Sequence, residues 1–118
     1  MENKEFNKIL IENIPEAEET YLSEKAIWEG EEPGSSIIVE DALMPLIYDA
    51  LETQNETLLD KFSTWLEKMV KLDDEFVDET IFVCIFEKAF YEGRIDKLLP
   101  YFQENTITRY KQTSFAKM

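Results

Sequence analysis

Apolar residues recur at helical spacing along the chain, and the pattern is clearest over residues 56–70. Seven of these positions fall on one side of a helical projection, and charged residues fill the opposite side. A period of 3.6 residues predicts an amphipathic α-helix that buries one face. Asn55 is a favoured N-cap residue, so we expect the helix to begin there. The predicted buried face consists of Leu58, Leu59, Phe62, Trp65, Leu66, Met69 and Val70.

Similar patterns predict two helices before a loop at residues 30–36. The first spans residues 2–13, and the second runs from Pro15 to Gly30 with glutamates in its favourable first turn. Two glycines, a proline and two serines indicate the loop itself. The apolar stripe of the first helix contains Phe6, Ile9, Leu10 and Ile14, and the thinner stripe of the second contains Tyr21, Leu22, Ala26 and Trp28.

The apolar triplet at residues 37–39 is expected to be a buried lead-in to a third helix. Asp41 is the predicted N-cap of this helix. Pro45 then falls near its first turn, where a missing backbone N–H does least harm. Its apolar face contains Leu43, Leu46, Ile47, Ala50 and Leu51.

Residues 76–91 are apolar on nearly every side of a helical projection. A helix without a polar face is usually covered on two or more sides, so we expect this one to form the middle of the domain. Gly93 is its predicted C-cap. Cys84, within this helix, is interpreted as a small buried apolar residue, because a reactive thiol needs basic neighbours or a histidine.

The remaining residues predict a short helix bent at Pro100 and a last helix capped by Asn105 or Thr106. Residues 112–118 are expected to fray, and docking of Phe115 is the alternative.

The length of 118 residues predicts one helical domain, 1–118. It would consist of acidic N-terminal helices at 1–29, the loop at 30–36, a helical core at 37–111 and a tail at 112–118. Short connections between helices predict antiparallel neighbours. The predicted fold class is all-α, either a compact bundle or a short HEAT-like stack of about six antiparallel helices.

Composition argues against most kinds of active site. The chain has no histidine, one cysteine and three glycines, which excludes Ser-His-Asp and Cys-His nucleophiles, cysteine zinc sites and glycine-rich phosphate loops. Acidic pairs at helical spacing, such as Glu75 with Glu79, are interpreted as solvated helix faces. We therefore expect a protein that is not an enzyme and has no metal or cofactor.

Charge is unevenly distributed along the chain. Residues 1–54 hold fourteen acidic residues and three lysines, a net charge of −11 out of a total of −14. This charge repels nucleic acid, and it serves either solubility or the binding of a basic protein partner. The residues predicted to bind the partner are Glu16, Glu18, Glu19, Tyr21, Trp28, Glu29, Glu31 and Glu32.

The N-terminus lacks the basic start and apolar run of a secretory signal, and no apolar stretch reaches the length of a membrane span. We therefore expect a cytoplasmic protein that does not bind membranes. The sequence leaves its oligomeric state open.

Three stretches carry a family resemblance: IIVEDALMP at residues 37–45, FSTWLEKM at 62–69 and LLPYF at 98–102. Together they resemble a poorly characterised family of small, acidic, all-helical bacterial proteins similar to the immunity proteins of polymorphic toxins. The resemblance implies an immunity protein that neutralises a cognate toxin, such as a basic nuclease. The alternative is an adaptor, scaffold or secretion-chaperone-like protein.

Overall fold

The computed structural model describes residues 1–117, which form seven helices and no strand. This confirms the all-α prediction, and the helices pack as a bundle. We number them α1 to α7 along the chain. Three short 3₁₀ turns accompany them, at Pro15–Ala17, Leu99–Tyr101 and Phe115–Lys117. The helices are α1 (Asn3–Asn13), α2 (Glu18–Ile27), α3 (35–53), α4 (Glu56–Val70), α5 (75–91), α6 (Ile95–Leu98) and α7 (Glu104–Lys111).

Helix α4 is the element around which the others assemble. It contacts α1, α3, α5, α7 and the 3₁₀ turn after α6. All seven apolar residues predicted to be buried on this helix are buried, and Trp65 is fully inaccessible. The Asn55 side chain accepts a hydrogen bond from the backbone N–H of Leu58 at 3.2 Å, so the predicted N-cap is confirmed.

Helix α5 is less central than its composition predicted. Cys84, Ile85 and Phe86 are buried, but Val83 is 43% exposed and Tyr91 69% exposed. One strip of the helix therefore faces solvent, because α3 and α4 pack against it and the aromatic side chains of the C-terminal segment cover only part of the remainder. Asp74 caps the helix by accepting a hydrogen bond from the N–H of Val77 at 3.1 Å.

Helix α3 begins earlier than predicted. Ser35 and Ser36 belong to the helix rather than to the loop, and residues 37–39 are helical rather than a lead-in. The Asn3 side chain accepts a hydrogen bond from the backbone N–H of Ser35 at 2.9 Å. Asn3 therefore caps the start of α3, and the prediction of Asp41 as its N-cap is wrong.

A π-helical turn, Val39–Leu43, interrupts α3 just before Pro45. Pro45 therefore lies inside a continuous helix, and the widened turn next to it accommodates the missing N–H and the ring. A second π-helical turn, Phe82–Glu87, interrupts α5, and the two wide turns contact each other.

The start of α7 is capped from another helix. Asn105 and Thr106 were predicted to cap it, but both donate hydrogen bonds to the carboxylate of Glu67 on α4. Their backbone N–H groups lie 3.1 and 2.9 Å from its oxygens, and their side chains donate to it at 2.7 and 2.9 Å. A carboxylate satisfies two free N–H groups at once, which one short side chain could not do.

The segment after α7 docks through Phe115, the alternative to fraying. Phe115 is 3% exposed, and its ring centroid lies 5.1 Å from that of Phe90 and 5.4 Å from that of Phe82. The fraying predicted for residues 112–118 is therefore wrong for Phe115, because burial of an aromatic ring stabilises this segment. Met118 lies outside the described residues.

Candidate protein-binding surface

Helix α2 differs from the other long helices because none of its ten residues, all of them described, is buried. The apolar stripe predicted for it is wrong: Leu22 is 51% exposed and Trp28, just beyond the helix, is 47% exposed. Four apolar residues among glutamates give a stripe too narrow to compete for a place in the core. The helix lies against the π-helical turn of α3 with its outer side in solvent.

Polar contacts hold α2 in place. Glu16, in the 3₁₀ turn before the helix, forms an ion pair with Lys61 of α4 at 2.9 Å. The hydrogen bond from Lys61 outweighs burial and holds the pKa of Glu16 below its usual value. Ala17, in the same turn, is fully buried. This end of α2 is therefore fixed, and Glu16 is already paired within the protein.

The first turn of α2 is also held through Glu32, which Tyr21 contacts. The Glu32 carboxylate accepts a hydrogen bond from the Tyr21 hydroxyl at 2.5 Å and another from the Asn7 amide at 3.0 Å. The same Asn7 amide donates to the carbonyl of Pro33 at 2.9 Å. Burial and the Glu32 carboxylate raise the pKa of Tyr21 to about 12. These contacts join α1, α2 and the following loop into one structure.

Six of the eight predicted partner-binding residues are exposed, and all of them except Glu16 are also free of the internal contacts just described. Glu16, Tyr21 and Glu32 make the internal contacts just described, so the structure separates them from the rest. We call the other five, together with two apolar neighbours, the α2 surface. It consists of Glu18, Glu19, Leu22, Ile27, Trp28, Glu29 and Glu31.

The two apolar neighbours were not among the predicted partner-binding residues. Ile27 is 72% exposed and Leu22 51% exposed, values typical of charged side chains rather than of branched aliphatic ones. The sequence signal for them is the short stripe of α2, in which apolar residues stand beside glutamates. Glu29 and Gly30 adopt left-handed conformations, with φ of 55° and 86°, which end the helix and turn the acidic loop back towards α1.

The α2 surface combines charge with exposed apolar area. Within residues 1–117, none of Glu18, Glu19, Glu29 and Glu31 forms an ion pair. Trp28 offers a large ring next to Glu29 in the sequence, and tryptophan is enriched at the centres of protein interfaces. Together with Leu22 and Ile27 it leaves three large apolar side chains of this segment in solvent.

Cys84 is in an unreactive environment. It is buried, and burial raises the pKa of its thiol to about 11, so it stays protonated at neutral pH. This confirms the interpretation of Cys84 as a small buried apolar residue.

Over residues 1–117, no group of three or more cysteine and carboxylate side chains has the placement of a metal site. The helices of this part of the chain are too short or too polar to span a bilayer.

Comparison with known proteins identifies a family without an assigned activity. No curated protein and no solved structure matches the chain. A family described as a domain of unknown function, DUF7674, matches residues 7–117. The match includes the whole α2 surface and all helices from α2 onward. Since it covers nearly the full length, the chain belongs to the DUF7674 family.

Proposed function

We propose that this protein is a non-catalytic binding module, an immunity protein that neutralises a cognate bacterial toxin through the α2 surface. The observation that carries the proposal is the exposure of Leu22 and Ile27 on α2 and of Trp28 just beyond it, where the neighbouring glutamates form no ion pair with any residue in 1–117. A helix that buries none of its residues fully, yet is held by polar contacts at its N-terminal part, is well suited to present side chains to another protein.

Electrostatics favours a basic partner. The total charge is −14, and residues 1–54 contribute −11 of it. Such a field speeds the association of a positively charged domain by long-range attraction, and added salt weakens the effect. A toxin that acts on nucleic acid carries a cationic substrate groove, and the acidic α2 surface is complementary to such a groove.

The proposed mechanism is stoichiometric occlusion. Glu18, Glu19, Glu29 and Glu31 would pair with lysines and arginines of the toxin, and Trp28 would bury its ring in the centre of the contact. Because the contacts of Glu16 and Tyr21 already hold α2 in place, binding would not have to order the helix itself. Preorganisation of this kind lowers the entropic cost of association.

A second candidate function is that of an adaptor or secretion chaperone. Val83 and Tyr91 on α5 and Leu72 after α4 are also exposed, at 43%, 69% and 46%. A chaperone that binds unfolded segments would use exposed apolar area of this kind more than acidic charge.

Co-expression tests the first proposal. The C-terminal domain of a toxin-like reading frame beside the gene is expressed in a sensitive host, with and without this protein. Restored growth and a one-to-one complex whose affinity falls with salt are the expected results. No rescue and no complex would contradict the immunity function, and binding of unfolded segments independent of salt would favour the adaptor.

Matched variants locate the contact. Trp28→Ala should weaken the complex by about tenfold or more. The pair Glu18→Lys and Glu19→Lys should slow association by about tenfold at low salt. The control pair Asp49→Lys and Glu52→Lys changes the same charge at exposed positions of α3. If the control pair slows association equally, total charge matters and the α2 surface is not the binding site.

A further inference from the structure

A cavity of about 350 Å³ lies between the first half of α5 and the end of α7. It shares no residue with the α2 surface. Phe86 is almost completely buried and Phe82 is half-buried, so their rings give the cavity an apolar wall. Its other main lining residues are Glu75, Asp78, Glu79 and Arg109.

The polar part of the cavity carries three carboxylates and one guanidinium. Arg109 is already bound, because it donates to Asp78 and lies 3.5 Å from a carboxylate oxygen of Asp73. Glu75 and Glu79 are exposed and form no ion pair with any described residue. The Oδ1 atom of Asp78 is buried and accepts no hydrogen bond from residues 1–117. The lining therefore carries three carboxylates against one guanidinium, an excess of two negative charges.

We propose that this cavity binds an arginine side chain of a protein partner. The carboxylates of Glu75 and Glu79 would receive the guanidinium, and the half-buried Phe82 ring would contact its planar face and its apolar stem. Arg109 shows that a guanidinium fits beside Asp78. The excess of negative charge excludes an acidic side chain, and the aromatic wall gives a purely polar group no matching surface.

Arginine suits the cavity better than lysine. Its guanidinium is planar and can stack on an aromatic ring while its N–H groups point to two carboxylates. An ammonium group is compact and strongly hydrated, so it gains less from the ring. The inference does not depend on the proposed immunity function, because the cavity and the α2 surface lie on different helices and use different residues.

A titration followed by ¹H–¹⁵N NMR tests the inference. The probe is N-acetylarginine methylamide at low salt, and its matched control is N-acetylcitrulline methylamide, which has nearly the same shape without the charge. We expect shifts confined to amides of residues that line the cavity, with a Kd on the order of millimolar for a single side chain. The citrulline compound should leave the spectrum unchanged.

Variants make the test specific to the cavity. The double variant Glu75→Gln and Glu79→Gln should raise the Kd at least about fivefold, since both partners of the guanidinium lose their charge. Asp49→Asn with Glu52→Asn, on α3, changes the charge equally and should leave the Kd unchanged. All four positions are exposed, so we expect both variants to fold, and thermal melts check this.

Three results would overturn the inference. Equal shifts with the citrulline compound would mean that charge plays no part. Shifts that map to the α2 surface would assign arginine binding to that surface. An unchanged Kd in the Glu75 and Glu79 variant would remove the cavity as the site. The first and third results have no bearing on whether a toxin binds the α2 surface, whereas the second would agree with a basic partner there.

Discussion

Helices α2 and α4 differ sharply although both were predicted to be amphipathic. Helix α4 buries seven of its fifteen residues, and α2 buries none of its ten. Both begin with glutamates, so helix propensity does not separate them. What separates them is the number of apolar residues at i, i+3 and i+4, which decides whether a helix can displace water from a neighbouring surface.

The two helices are also held by different forces. Apolar packing fixes α4, and the ion pair of Glu16 with Lys61 and the hydrogen bond of Tyr21 with Glu32 fix α2. Both contacts lie at the N-terminal part of α2, and most of its other side chains are exposed to solvent. A helix held in this way can change its exposed residues to suit a partner without loss of the fold.

The largest expected difference in stability comes from placing the same substitution, leucine to aspartate, in each of the two helices. Leu66→Asp puts an unpaired carboxylate in the core and should destabilise the protein by about 4 kcal/mol or more, a large share of the roughly 5–15 kcal/mol of a typical domain. Leu22→Asp, at a position that is 51% exposed, should change the free energy of unfolding by about 0.5 kcal/mol or less. Urea denaturation followed by circular dichroism measures both. Equal losses would show that α2 belongs to the cooperative core.

A medium effect is expected at Glu67, where α4 supports another helix. Glu67→Ala removes the cap of α7 and should cost about 1–2 kcal/mol of unfolding free energy. Burial opposes ionisation of Glu67, but hydrogen bonds from Asn105 and Thr106 outweigh it, so its pKa lies below the ordinary value of 4.5. The stabilisation is therefore complete above about pH 4.5 and is lost as the pH falls through the lower pKa of the folded state.

Urea titrations of the wild type and Glu67→Ala at pH 7 and at successively lower pH check this dependence. The difference in unfolding free energy between the two proteins should shrink as the pH falls. Glu67→Gln serves as a control, because it keeps one acceptor oxygen and has no charge to titrate. A difference between the wild type and Glu67→Ala that stays constant down to low pH would refute ionised capping by Glu67.

The smallest expected changes in stability come from substitution of a glutamate that forms an ion pair and of one that forms none. Glu16→Gln breaks the half-exposed ion pair with Lys61 and should cost about 0.5 kcal/mol at low salt. Glu18→Gln, two residues later, should change stability by less than about 0.3 kcal/mol because its carboxylate meets no cation among residues 1–117. Differential scanning calorimetry at two salt concentrations measures the stability of both variants. If the two variants behave alike, the contact between Glu16 and Lys61 contributes no stability.

Local patterns in the sequence predicted most of the fold. The apolar face of α4, its cap by Asn55 and the end of α5 near Gly93 depend on neighbouring residues, so spacing alone identified them. The cap of α7 could not be found in this way, because Glu67 lies 38 residues before Asn105 in the sequence. Likewise, the start of α3 depends on Asn3, which lies 32 residues away from Ser35.

The candidate site was predicted in outline only. Acidic composition located it in the N-terminal half, but composition does not show which carboxylates find internal partners. Glu16 and Glu32 meet Lys61 and Asn7, which come from distant parts of the chain. The exposure of Ile27 depends on the absence of a covering helix, a property of the tertiary packing and not of any local pattern.

The two π-helical turns have a consequence for length variation in the family. Each coincides with three consecutive buried residues, Ala42 to Met44 in α3 and Cys84 to Phe86 in α5, where a regular helix would turn one of them outward. Such a turn holds one additional residue while the flanking helical segments keep their facing sides. Single-residue gaps between members of the family are therefore expected inside α3 and α5, whereas most proteins confine them to loops.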